Sequence, residues 1–453
     1  MSFHPTPEQR AVIDYPLQPL RVVAGAGTGK TTTIVHRLAA LVARGLTPER
    51  AIGITFTNKA AEELAARLRT ALPDLAADGR EVEVTTYHGF AYSTLQEFGA
   101  LLGVERDAEV IGPGYVRQLM HDALSEGSYA HLDVSAVARR VDDAVELSSQ
   151  LARNLQTVDK LTSPSSSDDV ELRRAELAAI VGRYLHLKRT LGVLDYGDLI
   201  QLTHRLLTRH RDIAERIRAR YSVALLDEYQ DTDPAQRELL RIIFGDGFPV
   251  TAVGDSDQTI YEWRGASTRN FDDFPNHFPA ADGSPAATLP LTENRRSARA
   301  ILDAANAVRQ ATYGDEGRTG LRPVAGALQG DARAAFFRTA VDEAEFIAGE
   351  IVRLHAEERR AWRDIAVVFR KNKDMALVRD ALQAQGVPVE VGSLGGLLDL
   401  PDVADLHAWL RTIDRPSYSF ALARILLGPR YRLGLADIAP LTSWIKPNRA
   451  QLG

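Results

Sequence analysis

A glycine-rich loop near the N-terminus stands between a short apolar run and a helical pattern. The run is LRVVA at 20–24, the loop reads GAGTGK, and TTTIVHRLAALVARG follows with apolar residues at helical spacing. This order predicts a strand, a loop and a helix. Small loop residues let backbone N–H groups wrap around phosphates at the positive end of the following helix. The alternative is an ordinary glycine-rich turn.

The loop residues themselves predict a nucleotide site. AGAGTGKT fits the phosphate-loop pattern in the variant that begins with alanine. In this pattern Lys30 reaches the β and γ phosphates of a nucleoside triphosphate, and Thr31 coordinates Mg²⁺. The predicted nucleotide-binding residues of the loop are Ala24, Gly25, Ala26, Gly27, Thr28, Gly29, Lys30, Thr31 and Thr32.

Short apolar runs alternate with helical patterns beyond the loop, which predicts an α/β fold. The runs are AIGITFT, EVEVTTY, SVALLDE and PVTAVGD, beginning at positions 51, 81, 222 and 249. Apolar runs separated by helices indicate a parallel sheet with helices on both faces. Between about 108 and 192 the strand pattern stops, and the sequence predicts a helical insertion.

The rest of the chain predicts a second, smaller set of elements. A stretch rich in Gly, Pro and Ala near 279–288 precedes an alternating region that contains AAFFRTA and, at 364–370, DIAVVFR. From 392 onward the pattern turns helical. The predicted organisation is a first α/β domain at 1–107 and 193–284, the insertion at 108–192, a partial second α/β domain at 285–391 and the start of a second helical subdomain at 392–453.

Composition limits the chemistry that these domains can support. The 453 residues include no Cys, which excludes disulfides, thiolate metal sites and a cysteine nucleophile. Lys and Arg number 54 against 60 Asp and Glu, and the net charge of −6 argues mildly against nucleic acid as a partner. A large protein can still hold a basic groove within an acidic total. No apolar run approaches the roughly 20 residues of a membrane span, so we expect a cytoplasmic protein with no membrane partner.

An acidic pair closes one of the predicted strands. Asp227 and Glu228 end the run SVALLDE, at the carboxyl edge of the sheet, where nucleotide sites of α/β proteins form. We expect Asp227 to hold Mg²⁺ through water. Glu228, which is not committed to the metal, would act as general base on the attacking water. The alternative is a solvated strand end.

A third group of polar and aromatic residues follows the next strand. The segment VGDSDQTIYEWRGA at 253–266 contains Gln258, Tyr261 and Trp263. Gln258 could hydrogen-bond the γ phosphate, and Trp263 offers a flat face on which an unstacked base can lie. The alternative is that Tyr261 and Trp263 are core aromatic residues.

Together these motifs resemble those of UvrD/Rep-type superfamily 1 DNA helicases. In chain order they read AGAGTGKT, TFTNKAAEEL, TTYHGFA, LLDEYQDTDPAQ and VGDSDQTIYEWRGA, and the match extends over nearly the whole chain. The resemblance implies P-loop RecA-like parallel sheets with helical insertions, the first RecA-like domain being interrupted by a helical DNA-binding subdomain. It also implies ATP and Mg²⁺ as cofactors, single-stranded or partly duplex DNA as partner, and 3′ to 5′ travel that serves DNA repair or replication restart.

The resemblance adds two residues to the predicted nucleotide site. Gln9, in PTPEQRAVI, matches the family's adenine-reading glutamine, since a side-chain amide can pair with both a donor and an acceptor on the base edge. Arg37 matches a family arginine near the nucleotide. Without the resemblance, Gln9 is an exposed residue at a helix start and Arg37 is a surface helix residue.

Two segments after predicted strands match family segments that touch single-stranded DNA. Phe56 and Tyr87 would make aromatic contacts, and Asn58 with Lys59 would make polar contacts to the DNA backbone. His88 belongs to the same DNA-contacting segment as Tyr87. It is not a metal candidate, because no ligand partner lies at usable spacing.

The segment LTENRRS at 291–297 resembles the family's next motif. Its arginine enters the nucleotide cleft from the second RecA-like domain and stabilises charge on the transferred phosphoryl group, and Arg296 takes that role. The family often has a tyrosine that stacks on adenine where this chain has Arg295, whose guanidinium plane can also stack. The alternative for both arginines is a solvated helix start.

The resemblance also indicates what the sequence lacks. The family continues to a return into the second RecA-like domain, with a further DNA-contacting motif and a phosphate-sensing arginine, and no such motif is found within 401–453. We therefore expect a second RecA-like domain that is incomplete, in a fragment, a truncated product or one part of a split enzyme. Weak or absent unwinding by this chain alone is the corresponding expectation. A nucleotide- and DNA-binding module without turnover is the alternative function.

Overall fold

The computed structural model describes residues 4–73, 79–162, 168–314, 320–391, 401–414 and 419–440. The chain divides into two compact units, Met1–Ala332 and Arg333–Gly453. None of the helices within these described ranges is both long and apolar enough to cross a membrane.

Strands and helices alternate along the first unit. Its strands are β1 (Leu20–Ala24), β2 (Ala51–Thr55), β3 (Glu83–Thr86), β4 (Glu109–Val110), β5 (Val193–Leu194), β6 (Val223–Leu226), β7 (Val250–Gly254), β8 (Ala287–Leu291), β9 (Glu293–Asn294) and β10 (Arg322–Pro323). Its α-helices are α1 (Pro7–Asp14), α2 (Lys30–Ala43), α3 (Asn58–Ala71), α4 (Tyr87–Phe98), α5 (Pro113–Ser125), α6 (Val137–Arg153), α7 (Asp159–Thr162), α8 (Asp169–Leu191), α9 (Tyr196–Arg209), α10 (Arg211–Arg220), α11 (Pro234–Phe244), α12 (Thr268–Asp272), α13 (Phe274–His277) and α14 (Arg299–Tyr313).

A six-stranded parallel sheet in the order β3-β2-β6-β7-β1-β8 forms the centre of this unit. The inner strands β2, β6 and β7 are fully buried because each is a continuous run of small or apolar residues. Alternate residues of β6 enter different cores, Ala224 and Leu226 on one face and Val223 and Leu225 on the other. These two cores confirm the predicted α/β fold.

The functional segments follow the carboxyl ends of these strands, which lie at one edge of a parallel sheet. The phosphate loop follows β1, the acidic pair follows β6, and the segment with Gln258 follows β7. Phe56 follows β2, and Tyr87 follows β3. Segments that are far apart in sequence therefore meet at this edge.

The helical insertion begins and ends at a pair of short strands. β4 pairs in parallel with β5, and α5, α6, α7 and α8 lie between them in the chain. The apolar faces of α5, α6 and α8 form a separate core that includes Met120, Ala144 and Tyr184. The predicted limits of the insertion, 108 and 192, adjoin the two strands. Its DNA-binding role stays a prediction.

The sixth strand of the sheet lies beyond the predicted end of the first α/β domain at 284. β8 pairs with β1 from Leu20 opposite Ala287 to Ala24 opposite Leu291, and the first unit continues to Ala332. β8 thus joins the first sheet although it lies beyond 284, and the predicted domain boundaries stay a prediction. Residues 279–286 of the stretch rich in Gly, Pro and Ala form a loop that leads into this edge strand, because Gly and Pro favour turns.

The second unit contains α15 (Ala340–Glu358), α16 (Met375–Ala384), α17 (Pro401–Asp414) and α18 (Ser419–Leu427). The first two helices share a core with the alternate side chains Ile365, Val367 and Phe369. This period is that of a strand, yet among the described residues neither 364–370 nor 334–340 joins a sheet. The incompleteness of a second RecA-like domain stays a prediction, and residues 392–400, where the second helical subdomain is predicted to start, lie outside the described ranges.

Candidate functional site

The phosphate loop turns sharply between β1 and α2. Gly27 and Gly29 have φ angles of 72° and 84°, in the left-handed region that favours glycine. Since α2 begins at Lys30, the N–H groups of its first turn have no acceptor within the helix. Free N–H groups at a helix N-terminus suit an anionic phosphate. The geometry therefore favours a phosphate-binding loop over an ordinary turn.

Gln9 supports this loop from α1. Its side-chain Nε2 donates to the carbonyl of Thr28 at 2.9 Å, and its Oε1 accepts the N–H of Thr6 at 3.0 Å. A Cβ atom at Gly29 would lie 2.9 Å from the amide nitrogen. The alternative of an exposed glutamine is wrong, because Gln9 is only 3% exposed. Its reading of adenine stays a prediction.

The predicted catalytic lysine meets the acidic pair at the edge of the sheet. Lys30 Nζ lies 3.1 Å from Glu228 Oε2. The N–H of Glu228 donates to Asp227 Oδ1 at 3.1 Å, and the φ angle of 49° at Glu228 is unusual for a residue other than glycine. Asp227 is buried, so the alternative of a solvated strand end is wrong for this residue.

The carboxyl group of Asp227 fits a magnesium ion. Burial first, and the negative charge of Glu228 second, raise its pKa from 3.8 to about 6. A cation at this carboxylate would offset both effects, and Mg²⁺ prefers oxygen ligands. Within the described ranges no cluster of three or more His, Cys, Asp or Glu could hold a metal by itself. Mg²⁺ at nucleotide sites usually takes one or two protein ligands plus phosphates, and Thr31 with Asp227 matches that set.

Asp227→Asn is expected to stabilise the free protein at neutral pH. Because the folded-state pKa of Asp227 is about 6 and its ordinary value is 3.8, the ionised carboxylate opposes folding above pH 6, and this cost disappears as pH falls below 4. The variant should raise the free energy of unfolding by roughly 2–3 kcal/mol at pH 7.5, with no gain at pH 4. Thermal unfolding across this range is the measurement. Asp303→Asn, at an exposed position of α14, is the control, and equal melting temperatures of wild type and Asp227→Asn at pH 7.5 would contradict the raised pKa.

Gln258 lies in a short 3₁₀ turn, Ser256–Gln258, directly after β7. Its side-chain Nε2 donates to Asp255 Oδ2 at 2.5 Å, and Asp255 is 8% exposed. A buried carboxylate therefore orients this amide. The contact of Gln258 with a γ phosphate stays a prediction.

Asn294 joins the phosphate loop to the predicted arginines, and sequence reasoning missed it. Its Nδ2 donates to the carbonyl of Ala26 at 2.6 Å, and its Oδ1 accepts the N–H groups of Arg296 at 2.9 Å and Ser297 at 2.7 Å. The residue is 1% exposed. The only available signal was an amide, which can both donate and accept, directly before the paired arginines.

Both predicted arginines lie beside the phosphate loop and within the first unit. A Cβ atom at Gly27 would lie 2.8 Å from Arg296 Cβ, and the N–H of Arg295 donates to the Gly27 carbonyl at 2.9 Å. The exposed guanidinium of Arg295 lies 3.5 Å from Glu293 and 3.3 Å from the His4 carbonyl. That these residues belong to a second RecA-like domain stays a prediction. The strand directly before them, β9, pairs with β10 in a separate two-stranded sheet.

Arg37 holds elements of the first unit together, and its place near a nucleotide stays a prediction. Its guanidinium donates to Thr251 Oγ1 at 3.1 Å and to the carbonyls of Val12, Tyr15 and Pro16 at 2.8, 2.7 and 3.1 Å. Burial lowers its pKa to about 10. The alternative of a surface residue is wrong, because Arg37 is 0% exposed. These hydrogen bonds connect the end of α1 and the following turn to β7.

Three aromatic side chains and one arginine form a partly exposed platform. Phe56 stacks on Tyr261 with ring centroids 4.9 Å apart and an interplanar angle of 25°. The Arg264 guanidinium lies 4.6 Å from the ring centroid of Trp263 and 5.2 Å from that of Tyr261. Trp263 is 68% exposed, so the alternative of a core residue is wrong for it. An exposed aromatic face beside a cation suits an unstacked base and its phosphate.

The other predicted DNA contacts comprise two exposed and two enclosed side chains. Asn58 and Lys59 are exposed in the first turn of α3. Tyr87 is 2% exposed within the sheet core, and its aromatic contact with DNA stays a prediction. His88 packs edge-on against Tyr196 at 5.6 Å, and burial lowers its pKa to about 4. His88 is therefore neutral at pH 7 and supplies no charge for a phosphate.

The sequence matches two profiles of one helicase family. Residues 5–279 match the UvrD/REP helicase N-terminal domain, and residues 289–451 match the UvrD-like helicase C-terminal domain. The prediction that the C-terminal part is lacking is not borne out, because this second domain is present.

Similar curated proteins are named as ATP-dependent DNA helicases. UvrD1 of Mycobacterium leprae is 32% identical over 443 residues, covering 94% of this chain and 55% of the relative. PcrA of Leuconostoc citreum is 30% identical over 426 residues, covering 93% and 54%. PcrA of Staphylococcus aureus is 27% identical over 452 residues, covering 99% and 59%. The chain thus spans 54% to 59% of the length of these relatives.

Proposed function

Because this chain belongs to the UvrD/REP helicase family, we propose that it acts as an ATP-dependent DNA helicase or translocase. The observation that carries the proposal is the meeting of Lys30 with the pair Asp227 and Glu228. Lys30 Nζ and Glu228 Oε2 lie 3.1 Å apart although 198 positions separate the two residues. This geometry supports a site that combines a cation for phosphates, a carboxylate for Mg²⁺ and a base for water.

In this proposal each side chain has one task in hydrolysis. Lys30 leaves Glu228 and binds the β and γ phosphates of ATP. Thr31 and Asp227 would hold Mg²⁺, which would neutralise phosphate charge when bound. Glu228 accepts a proton from the attacking water. Arg296 stabilises the charge that develops on the transferred phosphoryl group.

The proposed DNA site is the aromatic platform together with the start of α3. Gln258 and Trp263 belong to one continuous segment, which carries both the proposed γ-phosphate contact and the proposed base-stacking residue. Asn58 and Lys59 would contact the DNA backbone. Travel from 3′ to 5′, a role in DNA repair or replication restart, and a cytoplasmic location are carried over from the family resemblance as parts of this proposal.

Trp263→Ala is expected to weaken the stimulation of ATP hydrolysis by single-stranded DNA. A stacked base contributes roughly 1–3 kcal/mol, so the DNA concentration for half-maximal stimulation should rise about 5- to 150-fold. The measurement is steady-state ATP hydrolysis against oligo-dT concentration. Tyr313→Ala, at a residue 41% exposed on α14, is the control. An unchanged half-stimulating concentration in Trp263→Ala would exclude a stacked base at this residue.

The same titration tests the proposed function against a second candidate, a nucleotide- and DNA-binding module without turnover. The observation that favours the second candidate is the ion pair that engages Lys30 and Glu228 with each other in the free protein. Hydrolysis by wild type that rises with DNA supports the motor. Binding of ATP and DNA without hydrolysis supports the module.

A further inference from the structure

We propose that Gln230 is the positioning residue through which the nucleotide site and the DNA-contacting segment after β7 influence each other. The inference rests on the proposed function for the identity of the two ligands, ATP and single-stranded DNA. It adds a residue that has no task in the hydrolysis described above and that touches both sites.

The side-chain amide of Gln230 is buried and its two ends have different partners. The residue is 1% exposed. Its Nε2 donates to Glu228 Oε2 at 2.8 Å, and its Oε1 accepts the N–H of Asp255 at 3.2 Å. Turning the amide over would place its oxygen against a carboxylate and its NH₂ group against an N–H donor. The amide therefore has one orientation, and it connects two backbone segments that follow different strands.

At one end, Gln230 holds the proposed general base in a resting arrangement. Glu228 Oε2 accepts hydrogen bonds from both Lys30 Nζ, at 3.1 Å, and Gln230 Nε2. Turnover requires Lys30 to leave this carboxylate for the phosphates. Hydrogen bonds to charged groups are stronger than those between neutral groups. The position of the Gln230 amide therefore changes the free energy needed to separate Lys30 from Glu228.

At the other end, Gln230 contacts the first residue of the DNA-contacting segment. Asp255 accepts the N–H of Asp257 at 3.0 Å and the side-chain amide of Gln258 at 2.5 Å. The chain then continues to the exposed Trp263. A Cβ atom at Gly254 would lie 2.6 Å from Gln230 Oε1, so a larger residue there would displace the Gln230 amide. A shift of the segment on DNA binding therefore acts directly on Gln230.

Coupling of this kind is measurable without turnover, because linkage between two ligands is reciprocal. The experiment measures the affinity of fluorescein-labelled oligo-dT by anisotropy, with and without Mg²⁺ and a non-hydrolysable ATP analogue. In wild type we expect the analogue to change the affinity by about 5- to 150-fold, as in other coupled sites. In Gln230→Leu the ratio of the oligo-dT affinities with and without the analogue should move toward one, by up to about tenfold.

A second variant and a matched control complete the experiment. Gln230→Met has nearly the same length and removes both the donor to Glu228 and the acceptor for the Asp255 N–H without adding a charge, so it should also lower the ratio, and it decides the question if Gln230→Leu unfolds. Gln236→Leu is the control, since Gln236 is 2% exposed and its Oε1 accepts the N–H of Asp233 at 3.2 Å. The control should keep the wild-type ratio.

Three outcomes overturn the inference. They are a wild-type ratio of one, a folded Gln230 variant that keeps the wild-type ratio, and a loss of the ratio in Gln236→Leu as well. A merely structural role would lower both affinities by the same factor and leave the ratio unchanged. Failure of the proposed function is seen separately, as absence of ATP hydrolysis, because the ratio uses an analogue that is not hydrolysed.

Discussion

Lys30→Ala is expected to lower ATP hydrolysis by at least about 10²- to 10³-fold, the usual effect of removing a group that stabilises charge in the transition state. Lys30 begins α2 and points at Glu228, where the phosphates would replace the carboxylate as its partner. The substitution also leaves Glu228 without its counter-ion. Steady-state hydrolysis at saturating Mg²⁺ and single-stranded DNA is the measurement.

The control for this prediction is a lysine outside the site. Lys160 lies on α7 in the helical insertion, where its Nζ contacts the Gln156 side chain at 3.1 Å, and Lys160→Ala should hydrolyse ATP as wild type does. A Lys30→Ala protein that is folded and hydrolyses ATP at the wild-type rate would remove the basis of the proposed function.

Glu228→Gln is expected to abolish turnover while nucleotide binding is retained. Loss of a general base typically costs about 10²- to 10⁴-fold in rate. The amide has the size of the carboxylate but cannot accept a proton from water, whereas Lys30, Thr31 and Asp227 remain available for the phosphates and Mg²⁺. Binding of a fluorescent ATP analogue and single-turnover hydrolysis are the two measurements.

The outcome for Glu228→Gln separates two roles of this residue. A variant that neither binds nor hydrolyses would indicate that the carboxylate serves mainly to hold Lys30, and the assignment as base would be wrong. Glu63→Gln is the control, because the Glu63 side chain on α3 is 57% exposed and lies outside the acidic pair.

The sequence was sufficient for the inner strands of the sheet but not for its sixth strand. β2, β6 and β7 are continuous buried runs, and such runs are recognisable without tertiary information. β8 reads ATLPL, with alternating partial exposure and a proline at position 290. Proline is tolerated at a sheet edge, yet it weakens the sequence pattern of a strand, so the sequence did not predict β8 as the sixth strand.

Residues of the candidate site were predictable where their position in a motif determines which other side chains lie beside them in the fold. Lys30, Asp227 and Glu228 each follow a strand, and the carboxyl edge of a parallel sheet brings such residues together. Arg37 and Tyr87 could not be placed in the same way. Their burial depends on partners such as Thr251 for Arg37 and on the sheet core around Tyr87, which no local pattern encodes.

Asn294 and Gln230 illustrate a second reason why part of the site was missed. Asn294 donates to the carbonyl of Ala26, and Gln230 accepts the N–H of Asp255. Backbone groups are present at every position, so a side chain that bonds to them places no requirement on the residue type at the partner position. Only the folded chain reveals such amides as connections between segments.

β1 lies between β7 and β8, so the hydrogen bonds between these strands fix the distances between the segments that follow them. Neighbouring strands are separated by about 4.8 Å, so the exits of these three strands stand at fixed intervals along the sheet. A single-residue insertion inside β1 would advance the phosphate loop by about 3.3 Å and turn its side chains to the opposite face, whereas an insertion in the loop at 279–286 would leave the positions of β1 and of the phosphate loop unchanged. We therefore expect insertions to be tolerated in the loop before a strand and to disrupt the site from the first residue of the strand onward.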